Sequence, residues 1–343
     1  MFGVVTVIFF LFNVLPGDPA QMMLGQNEDS EQIAAVKAKY GFDKPISTQY
    51  LYYLNDVSPL SFHSTNANDY TFLSDGKYNA NPVFTIGNTT TVIKFPYLRE
   101  SFTKQGKKVS QVIGETLPNT AVLAVSAIFI AIVLGICLGI ISALFKDRWL
   151  DKTIQIFSTL GMSIPSFFSA ILFAWFFGYI LHEYTNLEMT GSLYELDDFG
   201  EQMHIKWKNL ILPAIVLGIR PLAVVIQLMR NSLLEVFNQD YIRTARAKGL
   251  SEFQIIKRHA VKNALNPVVT AISGWFASML AGAVFVEYIF GWNGLGKEIV
   301  NALNTLDLPV IMGSVLVIAI VFITINILVD LVYAWLDPRV KLS

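Results

Sequence analysis

The 343-residue sequence is 53% hydrophobic and only 15% charged, with a mean hydropathy of +0.50, against about 45–50% and about 25% for soluble globular chains. That balance argues against an ordinary soluble fold and for a bilayer. The formal net charge of −1 gives no sign of a nucleic-acid binder or an acidic scaffold, so only local charge is informative.

Residues 1–15 are apolar but shorter than the roughly 20 residues of a spanning helix. No basic lead precedes them and no small-x-small cleavage site follows; Leu15-Pro16-Gly17-Asp18-Pro19 reads as a helix stop and turn. The segment is expected to be a first transmembrane helix with a truncated start. In 16–115, Ile33, Val36 and Tyr40 recur at helical spacing, with Asp29 or Ser30 as N-cap and Gly41 as stop, and a second helix is expected over 48–55. Val83-Phe84-Thr85-Ile86, Gly87-Asn88 and 89–95 predict a β-hairpin, while 61–81 reads as polar, turn-rich and mobile. A small α/β subdomain results.

Five further apolar segments can span: 119–145, 153–181, 210–229, 267–289 and 309–336. Two connections carry positive charge, 146–152 and 230–266, the latter with Arg230, Arg243, Arg246, Lys248, Lys257, Arg258 and Lys262. Both follow an even-numbered helix, so the positive-inside rule makes their side and both termini cytoplasmic and 16–115 external. The acidic 183–201 connection suits the opposite face. Cys137 lies in an apolar run and reads as a small core residue rather than a ligand. Gly135 and Gly139 form a GxxxG pair suited to close helix packing. Arg220, beside Pro221, is the unusual intramembrane residue, since a lipid-facing arginine costs roughly 2.5–3.5 kcal/mol at mid-bilayer. It has two readings: it lines a translocation path and meets a carboxylate, or the proline breaks the helix and the arginine snorkels or caps it.

The basic stretch 239–249 favours a helix ending at Gly249, a glycine suited to the left-handed C-cap. A second helix follows at once. Ser251 and Gln254 match the capping-box spacing, and Leu250 and Ile255 sit where a hydrophobic staple would pack. Phe253, Ile256 and Ala260 are expected on one face, with Lys257, Arg258 and Lys262 elsewhere, and the pair is expected to end at Asn266-Pro267. It can be read as an interfacial pair on anionic lipid, as a DNA-reading helix-turn-helix, or as a knob for a cytoplasmic partner. Tethering between membrane helices opposes the second.

Gly291-Trp292-Asn293-Gly294-Leu295-Gly296-Lys297-Glu298 nearly matches a phosphate loop. The missing Ser/Thr removes the magnesium ligand, Glu298 would repel phosphate, and a membrane helix precedes it instead of a strand. A tight loop with Trp292 at the membrane interface is the structural reading. His63, His182, His204 and His259 show no metal-ligand spacing.

Tyr241-Ile242-Arg243-Thr244-Ala245-Arg246-Ala247-Lys248-Gly249, followed by 259–265, resembles the EAA loop of binding-protein-dependent ABC importer permeases, in the form found in the dipeptide, oligopeptide and nickel branch. Arg243 stands where the general motif has glutamate. Residues 15–19, 163–167, 287–297 and 336–339 resemble other family stretches, in order; the basic lead of helix one is absent and 63–105 looks inserted. The resemblance implies an all-α polytopic membrane protein of six transmembrane helices with a cytoplasmic coupling helix pair and a small external α/β subdomain. Its divisions would be 1–15, 16–115 and 116–343, with the coupling segment at 231–266. It further implies the bacterial cytoplasmic membrane, a second homologous permease, two cytoplasmic ATPases that bind ATP and magnesium, an external substrate-binding protein, lipid contact, and neither a cofactor in this chain nor nucleic acid. Tyr241, Arg243, Thr244, Ala245, Gly249, Leu250, Phe253 and Ile256 would couple to the ATPase, with Leu250, Phe253 and Ile256 as docking face and Gly249 as backbone pivot. Peptides, nickel chelates and other small solutes stay open as cargo. A stand-alone channel or secondary transporter should show inverted repeats, and the two halves show no convincing one.

Overall fold

The computed structural model describes residues 2–13, 20, 30–67, 69–73, 77–197 and 202–336. The chain forms two compact units, Met1–Glu115 with Glu298–Ile320, and Thr116–Lys297 with Val321–Ser343.

In the first unit, helices Phe2–Asn13 (α1), Ser30–Tyr40 (α2) and Ile46–Val57 (α3) precede strands Leu60–Ser64 (β1), Ala80–Ile86 (β2) and Thr89–Lys94 (β3). The expected hairpin forms as β2 and β3, and both expected helices are present; the turn at 15–19 and the Asp29 cap lie outside the described residues. The third strand corrects the expected loop over 61–81. β1 pairs antiparallel with β3, giving the order β1-β3-β2. Polarity misled here because Ser61 and His63 face inward and find partners: Ser61 Oγ lies 2.9 Å from His63 Nε2, and His63 Nδ1 lies 2.8 Å from the Thr71 carbonyl. Satisfied in this way, polar groups can be buried.

A buried carboxylate organises this unit. Asp56 accepts from Tyr70 Oη (2.7 Å), Tyr78 Oη (3.1 Å) and Arg99 Nε (3.0 Å), and its carbonyl takes the Lys94 ammonium. From the same helix, Tyr53 stacks on Phe9 of α1 at 5.5 Å, Tyr50 packs on it tilted at 5.2 Å, and Tyr50 Oη meets Thr6 Oγ1 at 2.7 Å. Burial pushes the Lys77 and Lys94 ammonium groups down from 10.5 to about 8 and the Tyr53 phenol up from 10.0 to about 12. Between about pH 8 and 10.5 the unfolded lysines hold more protons than the folded ones, so stability rises with pH; above 10 folded Tyr53 keeps a proton that the unfolded chain loses, so stability falls. Hydrogen-exchange protection of the Thr89–Lys94 amides, corrected for intrinsic rates, should therefore rise from pH 8 to a maximum near pH 10; a flat profile would contradict this balance.

The second unit contains most of the long apolar helices. Val109–Leu144 (α4) enters it from the first, followed by Trp149–Ser163 (α5), Ser166–Trp175 (α6) with a π-turn at Phe176–Ile180, and His182–Thr185 (α7). A short hairpin, Tyr194–Leu196 (β4) with Met203–Ile205 (β5), leads to Lys208–Val236 (α8), Asp240–Ala247 (α9), Glu252–Ile255 (α10), Val261–Gly282 (α11) and Val284–Phe290 (α12); Leu295–Asn304 (α13) and Leu308–Leu336 (α14) follow, of which Glu298–Ile320 belongs to the first unit. Among the described residues, α4, α8 and Leu308–Val329 are individually long and apolar enough to cross a membrane.

Two expected spans are not single straight helices. The 153–181 segment breaks between α5 and α6 with a 111° bend. Pro165 lacks an N–H and disfavours helical geometry at Ile164, and the helix restarts with Ser169 N–H on the Pro165 carbonyl at 3.1 Å. The 267–289 segment has no start at Pro267. Its helix begins at Glu252, runs through Pro267 and bends by 56° before α12.

The GxxxG pair packs α4 on α8. A Cβ on Gly135 would lie 2.6 Å from Val225, and one on Gly139 2.6 Å from Met229. Cys137, two residues from each and thus on the far side of the helix, is exposed, which corrects its reading as a core residue. Trp292 is fully buried, its Nε1 donating to the Asn119 carbonyl at 3.0 Å.

Candidate functional site

The basic segment after α8 folds as a jointed element. In α9, Ile242 and Ala245 turn inward against Leu233, Val236, Ile255, Ala260 and Ala264, while Arg243, Thr244, Arg246 and Lys248 face out. The helix ends in a Schellman pattern: Gly249 N–H reaches the Arg246 carbonyl at 2.9 Å and Leu250 N–H the Ala245 carbonyl at 3.4 Å. Gly249 has φ +76°, and a Cβ there would touch nothing, so the demand for glycine comes from the backbone and not from space.

The second arm starts one residue later. Gln254 N–H donates to Ser251 Oγ at 3.4 Å and Ser251 N–H to Gln254 Oε1 at 3.1 Å, the full capping box. Leu250 and Ile255 join the same apolar cluster, as a staple should. Asn263 Nδ2 ties the arms by donating to Tyr241 Oη at 3.1 Å.

The structure separates the expected docking residues. Phe253 is 72% exposed, whereas Leu250 and Ile256 are half-buried and Ala245 is buried. Ala260 is also fully buried, so it does not share a face with Phe253. The reason is the π-turn at Ile256–Ala260, which shifts the helical register between them. The second arm also fails to stop at Asn266-Pro267, since it is the beginning of α11. What faces outward is two aromatic rings, Phe253 and Tyr241, and the cations Arg243, Lys257, Arg258 and Lys262.

The residues of the phosphate-loop near match are engaged within the protein. Glu287, fully buried, accepts from the N–H groups of Gly296 (2.7 Å) and Lys297 (3.2 Å). Lys297 Nζ donates to the Gly291 carbonyl at 3.0 Å and to Asn293 Oδ1 at 2.9 Å.

Residues 135–342 match the family model described as the binding-protein-dependent transport system inner membrane component, and 1–86 match its N-terminal counterpart. The chain belongs to this family. A Brucella suis biovar 1 (strain 1330) protein whose name includes the words peptide permease protein is 35% identical, over 98% of this chain and 93% of the relative. The dipeptide transport system permease protein DppB of Alkalihalophilus pseudofirmus is 32% identical, covering 99% and 95%. The fold is similar to an inward-facing conformation of the MetNI methionine ABC transporter, with a TM-score of 0.51 at 16% identity, covering 66% of this chain and 97% of that one. This inner membrane component is therefore part of an ABC transport system of several subunits.

Two arginines on α8 have opposite surroundings. Arg220 is exposed, lines a cavity of about 150 Å³ with Ser166, Ser169, Trp275 and Ser278, and makes no ion pair or side-chain hydrogen bond among the described residues. Pro221 does not break α8, which runs through it, so the helix-break reading of Arg220 fails. Arg230 is mostly buried and grips Asp151 in a fork, Nε to Oδ1 at 2.7 Å and Nη2 to Oδ2 at 2.6 Å. Ser142 Oγ and the Asp147 N–H (2.9 Å) complete the carboxylate's partners, so α4, α5 and α8 meet at one ion pair. Sequence reading counted Arg230 only as an orienting charge. The signal for its partner is Asp151 in the first turn of α5.

Asp151→Ala should destabilise the protein by up to about 3 kcal/mol, because it leaves the mostly buried Arg230 without its carboxylate. Asp151→Leu with Arg230→Met should recover most of that loss in denaturation of the purified protein; equal damage from single and double changes would refute the pairing account.

Proposed function

We propose that this chain is the permease subunit through which an ABC importer carries peptides or similar small solutes across the cytoplasmic membrane, with residues 241–267 docking a separate ATPase. The jointed element carries the reading. It joins two apolar helices by a joint with both arms capped, and it exposes Phe253 on an element whose other outward residues are mostly basic, with Arg243 and Arg246 paired to Asp240 and Glu252. An aromatic anchor with a charged rim suits insertion into a partner's groove. The names of the relatives, which include dipeptide transport, support peptides as cargo.

In this reading the two bent pairs each count as one span and α1 as the first, giving six, with 16–115 external and both termini cytoplasmic under the positive-inside rule. A second homologous permease, two ATPases that bind ATP and magnesium, and an external binding protein complete the importer. Closure of the ATPases moves the jointed element as a rigid body and switches the cavity between its outward- and inward-facing states. Arg220 lines the path and meets a peptide carboxylate.

Phe253→Asp should abolish copurification of the ATPase. Gly249→Val, which forces a β-branched residue to positive φ at about 1–3 kcal/mol, should lower peptide-stimulated ATP hydrolysis about tenfold, the change 1.4 kcal/mol produces. Uptake by the isolated chain in liposomes without ATP would overturn the reading. Arg220→Leu should abolish peptide uptake while the assembled complex still purifies; normal uptake by that variant would remove Arg220 from the path.

A further inference from the structure

We infer that the cavities flanking Ile219 form a subsite for the carboxylate end of a peptide whose last residue has a large apolar side chain. This deepens the peptide-permease reading and rests on it.

Two cavities share a wall between α5 and α8. One, of about 150 Å³, has Arg220 and the hydroxyls of Ser166, Ser169 and Ser278 in its lining. The other, of about 300 Å³, is lined by apolar side chains including Leu138, Ile154, Phe157, Leu222 and Ile226. Gly161 and Ile219 border both. The helices touch at that border: a Cβ on Gly161 would lie 2.8 Å from Ile219 Cγ2. Neither lining contains an acidic residue.

The polar groups point to what would bind. An unpaired guanidinium beside three hydroxyls, at mid-membrane depth, needs an anion. The second cavity has a polar mark of its own. Ser158 is 3% exposed, lines that cavity, and its Oγ has no hydrogen-bond partner. Serines in membrane helices commonly donate to the carbonyl four residues back, as Ser163 does here to Thr159 at 2.8 Å. Thr153 and Ser158 are the hydroxyl residues of an otherwise apolar lining, which matches the sparse polar placement of small-molecule sites, whose volumes start at about 300 Å³.

The ligand is thus an anion with an apolar group attached close by. A peptide's last residue has both on one Cα, so its carboxylate and side chain can enter adjacent compartments. A phospholipid also combines an anion with apolar chains, but its phosphate lies at the membrane surface, whereas Arg220 is near the middle of Lys208–Val236.

The test uses the complete transporter in proteoliposomes, with the binding protein saturated in turn by alanyl-phenylalanine, alanyl-glycine or alanyl-phenylalanine amide. The wild type should move alanyl-phenylalanine faster than alanyl-glycine and fail to move the amide. Ser158→Leu, which fills the apolar cavity, should cut alanyl-phenylalanine transport about tenfold, the discrimination an apolar pocket supplies, while alanyl-glycine changes less than about twofold. Leu138→Phe fills the same cavity from α4 and should act alike. If both variants keep the wild-type ratio, or if the amide is carried as well as the acid, the subsite is overturned, while ATP-dependent uptake of alanyl-glycine leaves the permease reading standing. A ratio that follows bilayer acyl-chain length instead of the peptide assigns the cavity to lipid and also overturns the subsite. Absence of any peptide uptake by the wild type refutes the permease's peptide cargo itself.

Discussion

Close backbone contact around α8 is the constraint on which the second unit depends. Within lipid, apolar side chains gain nothing by leaving one apolar medium for another, so helices associate through intimate packing. Here α4 approaches at Gly135 and Gly139, and α5 approaches Ile219 at Gly161, each too near for a side chain. The same helix carries Arg220 beside a cavity, Arg230 in its grip on Asp151, and Leu233 and Val236 under the jointed element. Structural and proposed functional groups are thus spaced along a single rod, and a shift in how α4 or α5 seats on it is felt at all three levels.

Buried ionic groups serve each unit differently. Asp56 gathers two tyrosines and an arginine from the connections and a lysine from β3, giving a small sheet a centre that its short strands could not supply alone. Asp151 instead fastens three long helices at one point. In both, the carboxylate's oxygens are shared among several donors, which keeps the desolvation cost of burial in check.

Local rules were readable from sequence, and long-range satisfaction was not. Gly249, Ser251, Gln254, Leu250 and Ile255 announce a joint because capping chemistry acts within a few residues, and Gly135 with Gly139 announces a packing stripe. Ser61 and His63 look like loop residues until Thr71 and a neighbouring strand supply their partners. Hydropathy finds 153–181 and 267–289 as apolar stretches but has no term for bends, so the break at Pro165 and the uninterrupted passage through Pro267 were both invisible to it. Arg230 needed Asp151, 79 residues away, before it could be anything but a surface charge.

The run of helix from Glu252 through Pro267 to Leu280 has a mechanical consequence. At 1.5 Å per residue it is about 44 Å long, and it starts at the Gly249 joint and ends next to the bend before α12, whose Glu287 is locked to Gly296 and Lys297. Such a rod is a lever with a swivel at one end and an anchored turn at the other. A push on Phe253 would be passed along this rod, with the compliance in the π-turn just beyond it and in the 56° elbow instead of at the proline.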